Sequence, residues 1–126
     1  MENKKKLILI VDDDPQIADL LKEFFEIKGF DAAVAKDGIK ALDYFKKALP
    51  DIVITDLLLP GEHGIDVIKT IKEKYFVPVI IISGIYKEEE LENVIEDYFV
   101  EAFLEKPVNT DELLETVNSI INARSV

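Results

Sequence analysis

Short apolar runs alternate with helical patterns along the whole chain. Runs rich in β-branched residues predict five strands, at Leu7–Val11, Ala32–Ala35, Ile52–Thr55, Val77–Ile82 and Ala102–Glu105. Apolar residues three and four positions apart predict a helix after each strand. The positions that set these patterns are Ile17, Leu20, Leu21 and Phe24; Ile39, Leu42 and Phe45; Ile65, Ile68 and Ile71; Leu91, Val94, Ile95 and Tyr98; and Leu113, Val117, Ile120 and Ile121.

Residues at the helix ends agree with these boundaries. Asp14 is placed to cap the first helix, with Pro15 in its first turn and Gly29 at its end. Asn109, with Glu112 three residues later, resembles a capping box that opens the last helix. Capping accounts for Asp14 and leaves Asp12 and Asp13 unexplained.

Strict alternation of strands and helices predicts an α/β fold, a doubly wound parallel sheet with right-handed crossovers and helices on both faces. The first, third and fourth runs are continuously apolar, as strands buried on both faces should be. The second and fifth runs, DAAVA and EAFLE, are typical of edge strands. The expected strand order is therefore 2-1-3-4-5.

Composition limits the function. With 126 residues and 48% hydrophobic content, residues 1–126 are expected to form a single domain. No effector domain is expected after Val126, so the chain is either a stand-alone domain or one cut from a longer protein. A net charge of −11 argues against direct nucleic acid binding, which needs clustered Lys and Arg. The chain has no cysteine, so disulfides, thiolate metal sites and cysteine nucleophiles are excluded, and the reducing cytosol suits it.

No membrane segment is expected either. The opening MENKKKLILIVDDD has an apolar run too short for a signal peptide, and no run approaches the roughly 18 apolar residues of a membrane span. We therefore expect a cytoplasmic protein.

Polar residues follow four of the predicted strands. Ligands of open α/β sheets bind at the carboxyl ends of the strands, near the point where strand order reverses. The side chains expected to meet there are Asp12 and Asp13 after the first strand, Asp56 after the third, Ser83 with Gly84 after the fourth, and Lys106 with Pro107 after the fifth.

This set of groups supports a narrow chemistry. Three carboxylates without cysteine make a hard oxygen site suited to Mg²⁺. With the cation bound, one carboxylate can attack phosphorus, while Lys106 and Ser83 supply charge and a hydrogen bond to the phosphoryl oxygens. The sequence therefore predicts an aspartyl-phosphate site.

Four segments carry a resemblance to a known family. VDDDP, ITDLLLPGEHG, VIIISG and FLEKPV resemble, in order and spacing, the motifs of response-regulator receiver domains, the phosphoacceptor modules of two-component signalling in the CheY-like superfamily. The resemblance runs from Lys6 to about Ile121 and implies a flavodoxin-like fold.

The resemblance implies a role for each site residue. Asp56 is the phosphoacceptor, and Asp13 binds Mg²⁺ directly, together with Asp56. Asp12 acts mostly through metal-bound water, and the backbone carbonyl of Leu58 is a further ligand.

The remaining motif residues are implied to form the phosphoryl-binding switch. Ser83, with Gly84 beside it, hydrogen-bonds the phosphoryl group and Lys106 pairs with it. Phe103 matches the family's rotating aromatic residue, and the Lys106–Pro107 bond is usually cis in this class.

The family also implies partners. A histidine kinase or a histidine phosphotransfer protein supplies the phosphoryl group, and the face of helix four, strand five and helix five controls a downstream protein or an effector domain. Weak homodimers through the helix-four face are common in the family. Such a domain is a signalling module, not an enzyme, since it catalyses only its own phosphorylation and dephosphorylation.

Three departures from the family pattern matter. Leu59 replaces a common methionine, and DYFVEAFLEKP lacks the glycine often found between helix four and strand five. Leu58 and Ile85 are aliphatic where fast-dephosphorylating relatives carry polar groups, which predicts a long-lived phosphoryl group.

We also expect an acidic output face on helix four, from Glu88, Glu89, Glu90, Glu92, Glu96 and Asp97.

Two other functions remain open at this point. One is a degenerate receiver that docks without being phosphorylated. The other is a phosphohydrolase of the haloacid dehalogenase type with Asp12 as nucleophile and Asp14 as acid, although the chain lacks a cap insertion and Asp56 is then left without a role.

Overall fold

A five-stranded parallel sheet organises the chain. The computed structural model describes residues 4–59, 62–84, 93 and 96–124. The strands are β1 (Leu7–Val11), β2 (Asp31–Ala35), β3 (Ile52–Asp56), β4 (Val79–Ser83) and β5 (Ala102–Glu105). They lie in the order β2-β1-β3-β4-β5 with every pairing parallel, which confirms the predicted topology and both edge strands.

Helices connect the strands, as predicted. They are α1 (Pro15–Ile27), α2 (Gly38–Phe45), α3 (Gly64–Lys74), α4, and α5 (Thr110–Arg124). Of α4, the structure describes residues 93 and 96–98, all helical, so the predicted positions Leu91, Val94 and Ile95 lie outside the described residues. Within the described part of the chain, no helix is both long enough and apolar enough to cross a membrane.

The core consists of two apolar layers, one on each face of the sheet. Alternate strand residues such as Ile8 and Ile10 pack with α1 and α5, through Leu21 and Phe25 among others. The intervening strand residues pack with α2 and α3 on the other face, in a cluster that includes Leu9, Val11, Phe45, Ile68 and Ile71. The central strands are therefore apolar on both faces, as their sequences indicated.

Four predicted strand boundaries were wrong by one or two residues, including both ends of β4, which ends at Ser83 instead of Ile82. Strand β4 begins at Val79 instead of Val77, because Pro78 has no N–H to donate and contributes only its carbonyl, which accepts from the Val53 N–H at 2.9 Å. Pairing with Leu7 starts β2 at Asp31, and pairing with Ile82 extends β3 to Asp56.

Two residues of the predicted helical stripes are not in the core. Leu20 in α1 and Ile39 in α2 are exposed. In α1 the buried stripe runs through Ala18, Leu21 and Phe25, so the side of the helix that meets the sheet does not include Leu20.

The helix ends confirm the predicted capping residues. Asp14 Oδ1 accepts from the Gln16 N–H at 2.9 Å. Gly29 has a φ of +98°, and Phe30 N–H donates back to the Phe25 carbonyl at 3.0 Å, which closes α1 in a Schellman motif. Asn109 Oδ1 accepts from the Glu112 N–H at 3.0 Å and so opens α5.

Candidate functional site

The carboxyl ends of β1, β3 and β5 bring two acids and one lysine into contact. The Nζ of Lys106 lies 2.6 Å from Oδ2 of Asp56 and 3.2 Å from Oδ2 of Asp12. These residues are far apart in sequence, and the parallel sheet places all three at the same edge. The predicted convergence of Asp12, Asp56 and Lys106 is therefore a feature of the structure.

Asp12 is held rigidly at the end of β1. It is 1% exposed, and its N–H donates to the Ala35 carbonyl of the neighbouring strand at 3.1 Å. Its Oδ1 accepts from the Asp14 N–H at 2.9 Å, while Oδ2 accepts from Lys106. Both oxygens are engaged, so the carboxylate has a fixed orientation.

Asp56 is the last residue of β3 and is 6% exposed. Its backbone is anchored by pairing with Ile82 and by the Thr55 hydroxyl, which donates to the Asp56 carbonyl at 3.0 Å. A carboxylate this buried is stable in its charged form only beside a cation or hydrogen-bond donors, and Lys106 supplies the cation.

Gly64 closes the loop that follows Asp56. Its N–H donates to the Leu57 carbonyl at 3.1 Å, and a Cβ at this position would overlap the Leu57 backbone. Only glycine allows α3 to start so close to the end of β3. Gly64 was not among the predicted site residues, although its place at the end of PGEHG, just before a helical pattern, is a usable signal.

Ser83 and Gly84 line the same edge at the end of β4. Ser83 is fully buried, and its carbonyl accepts from the Lys106 N–H at 3.0 Å. Gly84 is exposed, and a Cβ there would lie 3.4 Å from Cβ of Lys106. The Lys106–Pro107 peptide bond is cis, as the family resemblance implied.

Phe103 stands further down β5, paired with Ile81. It is half-buried and packs against the apolar layer on the α2 and α3 face. This position fits the implied aromatic switch, and its rotation stays a prediction.

The two carboxylates change the titration of Lys106. Burial alone lowers the pKa of its ammonium, but the hydrogen bond and charge of Asp56, and then the charge and hydrogen bond of Asp12, outweigh it. The pKa of Lys106 therefore stands above its ordinary value of 10.5. Lys106 is charged at neutral pH and neutralises part of the buried negative charge.

The donor set fits a magnesium ion only with solvent as additional ligands. Asp13 follows Asp12 in the same turn but is exposed, and among the described residues no three acidic, histidine or cysteine side chains are arranged to hold a metal. Mg²⁺ needs one or two carboxylates and keeps several waters. The carboxylates of Asp12 and Asp56 both contact the ammonium of Lys106, so oxygen donors of the kind that Mg²⁺ prefers lie together here.

Other predicted residues are only partly described. The backbone of Leu58 lies in a short antiparallel pairing of Leu58–Leu59 with Glu62–His63, just after Asp56. Glu96 and Asp97 of the predicted acidic face are exposed. The remaining positions, Ile85, Glu88, Glu89, Glu90 and Glu92, lie outside the described residues.

The fold and this site are typical of one class of protein, and comparison of the chain with known protein families identifies the same class. Residues 8–118 match the family model described as "Response regulator receiver domain". The chain therefore belongs to the response-regulator receiver family, and the resemblance seen in the sequence is confirmed.

Individual relatives give the same result. The chain is 40% identical over 83 residues to the DNA-binding response regulator MtrA of Mycolicibacterium smegmatis, covering 66% of this chain and 36% of MtrA. It is 35% identical over 114 residues to the transcriptional regulatory protein CpxR of Escherichia coli, covering 90% of this chain and 48% of CpxR. The chain thus spans less than half the length of these relatives.

A solved structure supports the fold over 97% of this chain. The receiver domain of the Francisella response regulator 1452 is 32% identical and superimposes with a TM-score of 0.85, covering 97% of this chain and all of that one. Receiver domains belong to two-component signalling, so this chain is a signalling domain and not a conventional enzyme.

Proposed function

We propose that this receiver domain accepts a phosphoryl group on Asp56 and relays the change to a partner surface. The observation that carries the proposal is the convergence of Asp56 and Asp12 on the Lys106 ammonium at the carboxyl edge of the sheet. Asp56 is a buried carboxylate beside a fixed cation, the arrangement that acyl phosphate formation needs.

The transfer is a displacement at phosphorus. A carboxylate oxygen of Asp56 forms a bond to the phosphorus atom as the bond from phosphorus to the donor breaks. With a phosphohistidine donor, the imidazole nitrogen leaves with the bonding electrons and takes up a proton. Lys106, already charged and 2.6 Å from Asp56, neutralises the oxygens of the transferred group.

Asp12, Asp13, Asp56 and the Leu58 carbonyl are the groups that would hold Mg²⁺. The ion, when bound, supplies positive charge to the phosphoryl oxygens. Asp12 is oriented for this purpose by the Asp14 N–H, so its position does not depend on the ion. Ser83, fully buried at the end of β4, is the proposed hydrogen-bond donor to the phosphoryl group.

The proposed donor is a histidine kinase or a histidine phosphotransfer protein, and the proposed output is the face of α4, β5 and α5. Phe103 on β5 is the residue expected to turn when the loop after β4 closes on the phosphate. MtrA is named a DNA-binding regulator, and this chain matches 36% of it. We propose that this domain acts in the cytoplasm on protein partners. Because the chain has a net charge of −11, we also propose that it does not itself bind DNA.

Intact-mass measurement after incubation with acetyl phosphate and Mg²⁺ tests the proposal. We expect a gain of one phosphoryl group that EDTA prevents and that Asp56→Asn abolishes. Asp43→Asn is the matched control, because Asp43 is an exposed acid on α2.

The other outcomes distinguish the alternatives. A protein that gains no mass with any phosphodonor is a docking module that functions unphosphorylated. A gain that survives Asp56→Asn and disappears in Asp12→Asn places the nucleophile on Asp12, as a phosphohydrolase of the haloacid dehalogenase type requires.

A further inference from the structure

Two phenylalanines project from the surface at the end of the molecule opposite Asp56. Phe76 follows α3 and is 71% exposed, and Phe99 follows α4 and is 79% exposed. They flank one groove of about 610 Å³, here called the phenylalanine groove. Its lining residues are Lys72, Glu73, Phe76, Asp97, Tyr98, Phe99 and Arg124.

Both phenylalanines also have unfavourable backbone conformations. Each has a φ of +57°, in the left-handed region where a helix end normally places glycine. Phe99 stands in the segment that lacks the glycine expected from the family pattern. Each residue therefore costs backbone energy and leaves a large apolar ring in water, so neither is explained by the stability of the isolated domain.

Polar contacts hold in place two of the side chains that line the groove, Lys72 and Arg124. Lys72 Nζ pairs with Glu101 Oε2 at 2.8 Å, and Glu101 Oε1 accepts from the Val79 N–H at 2.8 Å. The Arg124 guanidinium donates to the Phe76 carbonyl at 3.3 Å. A preformed surface that combines Phe, Tyr and Arg has the composition of a protein interface and orders few groups on binding.

The charges of the groove indicate which partner fits. Its lining carries two cations, Lys72 and Arg124, and two anions, Glu73 and Asp97, whereas the chain as a whole carries −11. A surface with equal numbers of positive and negative side chains can pair with its own copy across a two-fold axis. In such a contact a cation of one copy faces an anion of the other. It also has projecting rings next to a concave floor, so its shape can match its own copy.

We infer that the phenylalanine groove is a contact between two copies of this chain, related by a two-fold axis. Phe76 and Phe99 of one copy fill the groove of the other, and Arg124 of each copy faces Asp97 of its partner. The groove lies beside the amino ends of β4 and β5, whereas Asp56 lies at their carboxyl side. The groove includes Asp97 and Tyr98 of α4, so it borders the helix-four face that the family resemblance implied and adds the ends of α3 and α5.

Sedimentation equilibrium over a range of concentrations, without any phosphodonor, measures the association. We expect the double variant Phe76→Gly/Phe99→Gly to raise the dimer dissociation constant by roughly 30-fold or more, the loss of at least one interface hot spot. Glycine at these positions relieves the left-handed conformation, so we also expect a higher melting temperature. Weaker association in a better-folded protein cannot come from unfolding.

The matched control is Ile27→Ala. Ile27 is an equally exposed apolar residue at the end of α1, outside the groove. We expect this variant to dimerise like the wild type. An equal weakening would mean that general surface hydrophobicity, not the groove, drives association, and the proposal would be wrong.

A charge-reversal pair tests the geometry. Arg124→Glu and Asp97→Lys each place like charges across the two-fold axis, so each variant alone should be monomeric. Mixed together they restore both opposite-charge contacts, and we expect a heterodimer as tight as the wild type. A mixture that stays monomeric overturns the symmetric pairing.

A wild-type chain that is monomeric at every concentration overturns the self-association. A dimer that survives Phe76→Gly/Phe99→Gly also overturns it. None of these outcomes depends on whether Asp56 is phosphorylated.

Discussion

The Nζ of Lys106 lies 2.6 Å from Oδ2 of Asp56 and is the cation that makes a buried carboxylate tolerable at the end of β3. Its side chain keeps 21% exposure, against 9% for that of Asp56. Removing one partner of a fully buried pair costs roughly 3–5 kcal/mol. For Lys106→Met, which keeps the length and removes the charge, we expect about 2 kcal/mol because the lysine is partly solvated.

Denaturant unfolding of Lys106→Met measures this loss. Lys46→Met is the control, since the Lys46 pair with Asp43 is exposed on both sides and should contribute almost nothing. If the two variants lose equal stability, the contact with Asp56 does not stabilise the fold.

The raised pKa of Lys106 gives this contribution a pH dependence. Its ammonium gains stability from Asp56 and Asp12, so its pKa is higher in the folded state than in the unfolded chain. The stabilisation is complete below the ordinary lysine pKa of 10.5 and is lost as pH rises through the raised value. We expect the difference in unfolding free energy between wild type and Lys106→Met to be constant at neutral pH and to shrink above pH 10.5.

Unfolding curves of both proteins from neutral to alkaline pH test this sign. Taking the difference cancels the other lysines and the tyrosines, which titrate in both proteins. A difference that grows with rising pH would mean that the folded state favours the neutral amine, contrary to the contacts seen.

Gly64 is expected to be intolerant of any side chain. A Cβ at this position would overlap the Leu57 backbone, which follows Asp56 directly and cannot move without disturbing β3. We expect Gly64→Ala to destabilise the protein by roughly 1–3 kcal/mol, the usual cost of overpacking. Thermal or denaturant unfolding measures it.

Gly84→Ala is the matched control for this substitution. A Cβ at Gly84 would lie 3.4 Å from Cβ of Lys106, an ordinary contact, on an exposed residue. We expect its stability to change by less than about 0.5 kcal/mol. Equal losses at Gly64 and Gly84 would show that the close approach to Leu57 is not the cause.

The sequence predicted the sheet, and the meeting of three polar side chains at one of its edges, because both follow from local patterns. Continuous apolar runs indicate central strands, and the residues just beyond them must meet at the carboxyl edge of a parallel sheet. Asp12, Asp56 and Lys106 could therefore be grouped from the sequence alone. Leu20 and Ile39 marked their helices correctly but are exposed, because periodicity gives the apolar side of a helix but not which of its edges meets the sheet.

Features that depend on chain packing could not be predicted. The overlap at Gly64 arises from the return of α3 onto Leu57, a distance that no local pattern contains. The left-handed conformation of Phe76 is opposed by the intrinsic preference of phenylalanine, so sequence reasoning had no basis to expect it. The missing glycine before β5 was visible in the sequence, and Phe99 in that segment has a φ of +57°, in the region that favours glycine.

The lifetime of the proposed phosphoryl group is expected to be long. Leu58, whose backbone lies two residues beyond Asp56, and Ile85 are aliphatic where a polar side chain can orient the attacking water. We expect Leu58→Asn to shorten the half-life of the phosphorylated protein by about tenfold, which is less than a positioned general base contributes through proton transfer. Leu49→Asn, at an exposed leucine in the segment before β3, should leave the half-life unchanged. Intact mass, followed over time at neutral pH after removal of the phosphodonor, measures the half-life for the wild type and for both variants. Decay of the wild type within seconds would show that its aliphatic residues at these positions do not protect the phosphorus.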